Sequence, residues 1–313
     1  MAHSILDQPH FTDAAKAREY LERVRWPDGP VCPHCGSVGG HYALQGTAHR
    51  PGLWKCHDCR EQFSVTVGTV FERSKIALHV WLKAVYLLCS SKKGMSSHQL
   101  HRTLGVTYKT AWFMTHRIRE AMRSGSLAPF GSGGGDVEVD EAFIGTNRPK
   151  AKGARSYHHK NKVLSLVDRN TGHSRSIVID KVSADTIMPI LHANIAKEAR
   201  ILTDEGAHYV RSRLHFAGHE STVHSAGEYV RLSDRTVHSN TVEGYFSIFK
   251  RGMKGVYQHR GKDHLHRYLA EFDFRYSNRI ALGINDSMRT DAALKGISGK
   301  RLTYRRIDQQ RAQ

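Results

Sequence analysis

Two cysteine pairs constrain this chain more tightly than any other feature. Cys32-Pro33-His34-Cys35 is followed after twenty residues by Cys56-His57-Asp58-Cys59. Each pair draws two thiolates from one tight turn, and together the turns supply the tetrahedral set that zinc prefers. The chain must therefore fold back so that both turns meet. Residues 41–43, 53–55 and 62–65 are strand-like in composition, which predicts a zinc ribbon around the ion. Four thiolates leave no open coordination position, so this one Zn2+ is structural rather than catalytic. The pairing pattern favours metal over disulfides and hence a reducing cytoplasm. The fifth cysteine, Cys89, lies in an apolar stretch and reads as a small buried residue.

Around the ribbon the patterning is helical. Residues 12–25 predict an amphipathic helix capped by Thr12 or Asp13, with Ala15, Leu21 and Val24 inward. Residues 75–90 form a strongly apolar helix. Ser96 caps a short helix to Leu104, Gly105 turns the chain, and Thr107 opens a third helix to about Met122. Helix, glycine turn and a helix bearing Tyr108, Lys109, Thr110, His116, Arg117 and Arg119 make a helix-turn-helix pattern that would meet DNA. The competing reading is an ordinary three-helix unit whose polar face meets water. The charge balance favours DNA: 47 Lys and Arg against 29 Asp and Glu leave a net +18, a surplus suited to a polyanion. No apolar run of about 18 residues predicts a membrane span, and the first ten residues lack the apolar core of a secretory signal.

Residues 124–135 (SGSLAPFGSGGG) read as a flexible linker. Beyond it, 136–145 alternate as a strand, 147–162 form a basic loop, and 163–167 and 174–179 read as two more strands. Residues 185–199 read as a helix, and 200–203 as a fourth strand ending in Asp204. Three strands, a helix, a strand and later helices give an α/β layout. Residues 238–250 form a helix with Asn240, Glu243, Ser247 and Lys250 on one face and Val242, Phe246 and Phe249 on an adjoining apolar face. Asp140 and Asp204 at strand ends can converge with Glu243 on that covering helix. Three close carboxylates repel one another unless divalent cations lie between them; such clusters hold two Mg2+ ions about 3.5–4 Å apart for in-line phosphoryl displacement. Lys250 would then meet a DNA phosphate. Any one of these aspartates could instead be a cap or turn residue, and Glu141 and Glu205 are nearby alternatives as ligands.

Long segments in a fixed order sharpen this reading: RWPDGPVCPHCGS (25–37), VDEAFIG (139–145), LTDEGAHY (202–209), HSNTVEGYFSIFKRGMKG (238–255) and HLHRYLAEFDFRYSNR (264–279). Over most of its length the chain resembles the DDE transposases of bacterial insertion sequences, which carry an N-terminal zinc ribbon and a ribonuclease H-like catalytic domain. The resemblance implies a ribbon region (1–70), a helix-turn-helix region (71–123), the linker, and a ribonuclease H-like domain of mixed sheet and flanking helices (136–313). It implies catalysis by Asp140, Asp204 and a third group from HSNTVEG, followed by Lys250. Relatives differ in that third group, and this chain holds both Asn240 and Glu243. Glu243 is preferred, because a carboxylate binds Mg2+ (or Mn2+) better than an amide and its step of seven to Lys250 fits; Asn240 stands beside it. Lys250 and Arg251 would contact DNA, and His224, His238, His259 and Arg275 would neighbour DNA or the active site, although Arg275, Asn278 and Arg279 could equally be structural. The implied activity is cleavage at the element's terminal inverted repeats and 3′-hydroxyl strand transfer into target DNA by at least a dimer, in the cytoplasm with the nucleoid. The order of modules is complete, so no truncation is expected. The rival readings are a ribonuclease H-like nuclease that cuts without joining, and a DNA-binding regulator domesticated from a transposase.

Overall fold

The computed structural model describes residues 4–125, 128–145, 157–258 and 261–302. They form two compact units, one from Met1–Arg123 with Asn285–Gln313 and the other Ser124–Ile284.

The first unit begins with α1 (Pro9–Thr12) and α2 (Ala14–Arg25). Asp13 caps α2 by accepting the Lys16 N–H at 2.8 Å, the sequence-expected start. Three two-residue strands follow: β1 (Tyr42–Ala43), β2 (Trp54–Lys55) and β3 (Gln62–Phe63). They pair antiparallel in that order and form the ribbon's sheet. Next come α3 (Leu78–Ser90), α4 (Ser97–Leu104) and α5 (Tyr108–Met122). Ser96 and Thr107 cap α4 and α5 through their hydroxyls, and Gly105 ends α4 at φ +67°, a left-handed turn that favours glycine. Cys89 is buried on α3, as its surroundings in sequence imply.

The second unit contains one mixed sheet. Its strands are β4 (Asp136–Ile144), β5 (Asn161–Asp168), β6 (Ser174–Ile179), β7 (Arg200–Thr203) and β8 (Gly218–Ser221). Their order is β6-β5-β4-β7-β8. β4, β5 and β6 run antiparallel, whereas β7 is parallel to β4 and β8 to β7. The helix α6 (Ala184–Asn194) connects β6 to β7, shorter than the expected 185–199. β8 has little apolar alternation to announce it. The helices α7 (Asn240–Gly255) and α8 (Leu265–Ser277) come last.

Period-two alternation explains the layering. Val137, Val139, Leu164 and Leu166 face a core closed by Ile187 and Leu191 of α6. The intervening Ala142, Val163 and Val167 face a second core with Val242, Phe246 and Phe249 of α7 and Leu269 and Phe272 of α8. The sheet is thus covered on both faces. Among the described residues no helix is long and apolar enough to cross a membrane.

Three sequence expectations change. The expected catalytic span to residue 313 is interrupted by α9 (Asp286–Lys295), which packs in the first unit with α3. Leu294 and Ile297 are fully buried there, the Arg289 guanidinium donates to the Cys89 carbonyl at 2.9 Å, and the Tyr20 hydroxyl donates to Asp291. Part of the supposed linker is an ordered piece of the second unit. Phe130 is 3% exposed and bridges Ile195, and the Gly131 N–H donates to Asp168 at 2.9 Å. Gly131 is needed for this approach, since a Cβ there would lie 2.4 Å from that of Ala199. Of the basic loop, residues 146–156 fall outside the described residues, while Asn161 and Lys162 already belong to β5.

Phe130→Ala should therefore destabilise the second unit by about 3–5 kcal/mol, the usual cost of removing a buried aromatic ring. Urea unfolding followed by the far-ultraviolet circular dichroism of its sheet and helices would measure it. A true linker phenylalanine would show almost no change.

Candidate active site

The metal site is the simpler of the two. Each cysteine pair sits in a tight turn: the Cys32 N–H donates to the Ser37 carbonyl, and the Cys56 N–H to the Glu61 carbonyl, both at 3.0 Å. The four ligand sulfurs all lie within 4.8 Å of one another, with Cys32–Cys59 at 3.6 Å and Cys35–Cys56 at 3.7 Å. These separations are far beyond a disulfide bond. They match the roughly 3.8 Å edge of a tetrahedron of thiolates about 2.3 Å from a zinc ion. The residues present fit one structural Zn2+.

The second site is built from β4, β7 and α7. Glu138, Asp140, Ala142 and Ile144 share one face of β4, the face that meets α7 and α8. β7 pairs parallel with β4 through Glu138–Leu202, and that register continued along both strands sets Asp204 beside Asp140. Glu243 comes from the first turn of α7. Asp140, Asp204, His224, Glu243, Phe246, Ser247 and Lys250 line a single cavity of about 360 Å3. Burial, reinforced by Glu141, Asp204 and Glu243, pushes the Asp140 carboxyl up to about 7. Asp204 accepts the Gly206 N–H at 2.9 Å. Glu243 accepts from the Ser239 hydroxyl at 3.1 Å and lies 3.7 Å from His224. The Lys250 ammonium rests 5.5 Å from the centre of the Phe246 ring.

What holds Glu243 there is a residue that sequence reasoning passed over. Glu138 is fully buried; one carboxylate oxygen accepts the Val242 N–H at 2.8 Å, in the first turn of α7. The other accepts from Arg169 Nε at 2.6 Å. Arg169 also donates to the carbonyls of Thr236 and His238, fastening the segment that enters α7. Glu138 shares strand parity with Asp140, and that was the available signal. Arg169, in the β5–β6 turn, gave none.

The remaining expected residues separate cleanly. Asn240 is exposed at the start of α7 and does not line the cavity. Glu141 is held by the His208 ring at 2.8 Å and the Tyr209 hydroxyl at 2.6 Å, and Glu205 is exposed and bound to Ser225. His224 does line the cavity, whereas His238 sits against Arg169 and Glu138. Arg275 is buried against Glu271, and Arg279 donates to the Gly172 and Tyr276 carbonyls, so both are structural. Asn278 likewise donates to the Phe274 carbonyl. Arg251 is exposed and bound to Ser247. His259 lies outside the described residues.

Comparison with known proteins adds to this geometry. Residues 12–62 match the transposase zinc-ribbon domain, and residues 133–277 the ISXO2-like transposase domain. An uncharacterized protein in transposable element ISH50 of Halobacterium salinarum is 29% identical over 288 residues, covering 85% of this chain and 91% of that protein. The chain belongs to the insertion-sequence transposases with an N-terminal zinc ribbon. Among solved structures, a simian T-cell lymphotropic virus intasome in complex with PP2A regulatory subunit B56 gamma aligns over 56% of this chain and 63% of that one. At 14% identity and a TM-score of 0.30 that likeness carries no argument.

In this transposase the exposed end of α5 is narrower than its sequence suggests. Tyr108 and Lys109 are exposed, and Tyr108 stacks on His98 of α4 with ring centres 4.3 Å apart. Thr110 is half-buried beside the Thr107 cap. His116 and Arg117 are buried and cannot serve as the DNA-facing residues expected of them. Arg117 donates instead to the carbonyls of Glu72 and Leu302, and Arg119 to the Thr115 hydroxyl.

The purified transposase should carry about one zinc per chain by elemental analysis, as four thiolates make one closed site. Cys56→Ser should lose that metal and expose the ribbon to protease. Full protease resistance without zinc would contradict a structural role.

Proposed function

We propose that this chain is a DNA transposase that binds the terminal inverted repeats of its element and catalyses strand cleavage and 3′-hydroxyl strand transfer with Mg2+. One observation carries the reading: Asp140, a partly buried acid crowded by other carboxylates, shares a cavity with Asp204, Glu243 and Lys250. The mixed five-stranded sheet, covered by helices on both faces, supports a ribonuclease H-like domain.

The acids fit divalent cations chemically. Carboxylate oxygens are hard donors suited to Mg2+, and a crowded acid is what a divalent cation relieves. The cavity they line, of about 360 Å3, leaves room for the waters Mg2+ habitually keeps and for DNA oxygens. When bound, Mg2+ supplies Lewis-acid activation of the attacking oxygen and stabilisation of the leaving one.

The chain's own residues supply the rest. Asp140 and Asp204 hold one side of the reacting phosphate's site and Glu243 the other. The Lys250 ammonium meets a non-bridging phosphate oxygen and orients it. Water forms a bond to phosphorus as the P–O3′ bond breaks; the freed 3′-hydroxyl then attacks a target phosphate, releasing that strand's 3′ oxygen. No protein group becomes covalently attached. Glu243, inside the cavity, is the third carboxylate; Asn240, outside it, has at most a supporting part.

The α4–α5 pair, read as a helix-turn-helix, presents Tyr108 and Lys109 with the flanking Thr110 for inverted-repeat DNA. The net charge of +18 supports that partner. Lys250 and Arg251 would follow the same DNA near the catalytic centre. Two element ends imply at least a dimer during transfer, acting with the nucleoid in the cytoplasm.

The test is Mg2+-dependent cleavage and joining of a labelled element-end duplex. Asp140→Ala, Asp204→Ala and Glu243→Ala should each lower the rate by about a hundredfold to a thousandfold, as loss of a catalytic electrostatic group does. Asn240→Ala should keep substantial activity. An inactive Asn240→Ala beside an active Glu243→Ala would move the third position. Specific end binding by a wild-type chain that never cuts would leave a DNA-binding regulator, and cutting without joining a nuclease.

A further inference from the structure

A second cavity, of about 580 Å3, adjoins the acidic one and shares Lys250 with it. Its lining includes Phe143, Tyr157, Lys160, Met253 and Lys254. Phe143 lies on β4 beyond Asp140, and its ring stacks on Tyr157 with centres 4.9 Å apart and planes 21° from parallel. Tyr157 remains 56% exposed. The Lys160 ammonium lies 4.8 Å from the Tyr157 ring centre. Glu141 is the groove's acid, and its carboxylate is already taken by His208 and Tyr209.

This is an uncommon lining. A groove meant only to attract duplex DNA needs surface cations, not an exposed tyrosine stacked on a phenylalanine. Ammonium groups beside an aromatic step are the combination that binds single-stranded nucleic acid: cations follow the phosphates while bases stack on rings. A volume of 580 Å3 is within the range of small-ligand pockets. It has room for about one nucleotide and none for a duplex. Because Lys250 lines both cavities, a strand with its reacting phosphate among the acids passes directly into this groove.

We propose that the groove formed by Phe143, Tyr157, Lys160 and Lys254 binds an unpaired nucleotide of the DNA strand next to the reacting phosphate, with its base on the Tyr157 ring and its phosphates on the two lysines. The inference rests on the transposase reading in one respect, that the acidic cavity takes a DNA phosphate. The site is sequence-tolerant, because every base offers a face to stack on. It draws the strand away from its complement at the point of reaction.

The test uses the full chain without Mg2+ and follows anisotropy of a labelled short thymidylate oligonucleotide and of a blunt duplex of the same length. Tyr157→Ala should weaken thymidylate binding about tenfold, the effect of losing one stacked base. Duplex binding should change by less than about twofold, since a paired base does not enter the groove. Tyr157→Phe, which keeps the ring, should bind like the wild type. Lys254→Ala should weaken thymidylate binding and flatten its salt dependence. Equal losses on strand and duplex, a Tyr157→Phe variant as weak as Tyr157→Ala, or no loss in either alanine variant would overturn the proposal. The two readings fail separately. A wild type that binds thymidylate through Tyr157 yet never cuts DNA keeps the groove and removes the transposase. One that cuts and joins while Tyr157→Ala binds thymidylate normally removes the groove alone.

Discussion

The second unit depends on the buried carboxylate of Glu138. It has no access to water, so both of its oxygens must be satisfied inside the protein, one by the Val242 N–H and one by Arg169. That requirement couples three parts of the chain. The central strand holds Glu138 two residues from Asp140, the helix presents Val242 beside Glu243, and Arg169 ties down the entering segment. An anion at a helix N-terminus is also favoured by the helix dipole. Removing one partner of such a buried pair costs about 3–5 kcal/mol, because the other charge is left uncompensated. The placement of Glu243 in the cavity of Asp140 therefore depends on a residue that does not line it.

Around this clamp the sheet does what parallel and antiparallel pairing allow. The antiparallel strands make a rigid platform, and the β6–α6–β7 crossover returns the chain parallel to β4. Asp204, just past the end of β7, then lies beside Asp140, which is in the middle of β4 and not at a strand end as its sequence suggested. The apolar face of α7, built by Val242, Phe246 and Phe249, seats it on the sheet while Glu243 and Lys250 turn toward the cavity. One helix thus serves as core and as cavity wall. The neighbouring aromatic groove grows from the same strand, since Phe143 lies on β4 beyond Glu138 and Asp140.

Much of this was legible because it is local. Ser96, Thr107 and Asp13 cap the helices expected of them, and Ser174–Ile179 is a strand with the expected bounds. Alternation in Asp136–Ile144 pointed Asp140 to one face, and helical spacing aligned Glu243 with Lys250. Element ends shifted by a few residues, as at α6 and β5, and the larger errors were long-range. His116 and Arg117 look like DNA-facing residues until their helix packs, and Arg117 finds carbonyl partners at residues 72 and 302. Phe130 sits among glycines and serines, yet the ring is apolar enough to fill a space beside Ile195 and Ala199. Glycine-rich composition says how freely a segment bends, not whether it is held.

The sequence by itself determined the zinc ribbon, the alternation of strands and helices, and the short list of acids, because ligand spacing, pleat and helical turn operate between near neighbours. Tertiary structure alone decided that Glu243 rather than Asn240 enters the cavity with Asp140 and Asp204, that Glu138 anchors the helix, and that α9 packs with α3. The reason is burial. Which polar group loses water, and which distant partner must then replace it, exists only once the layers have closed.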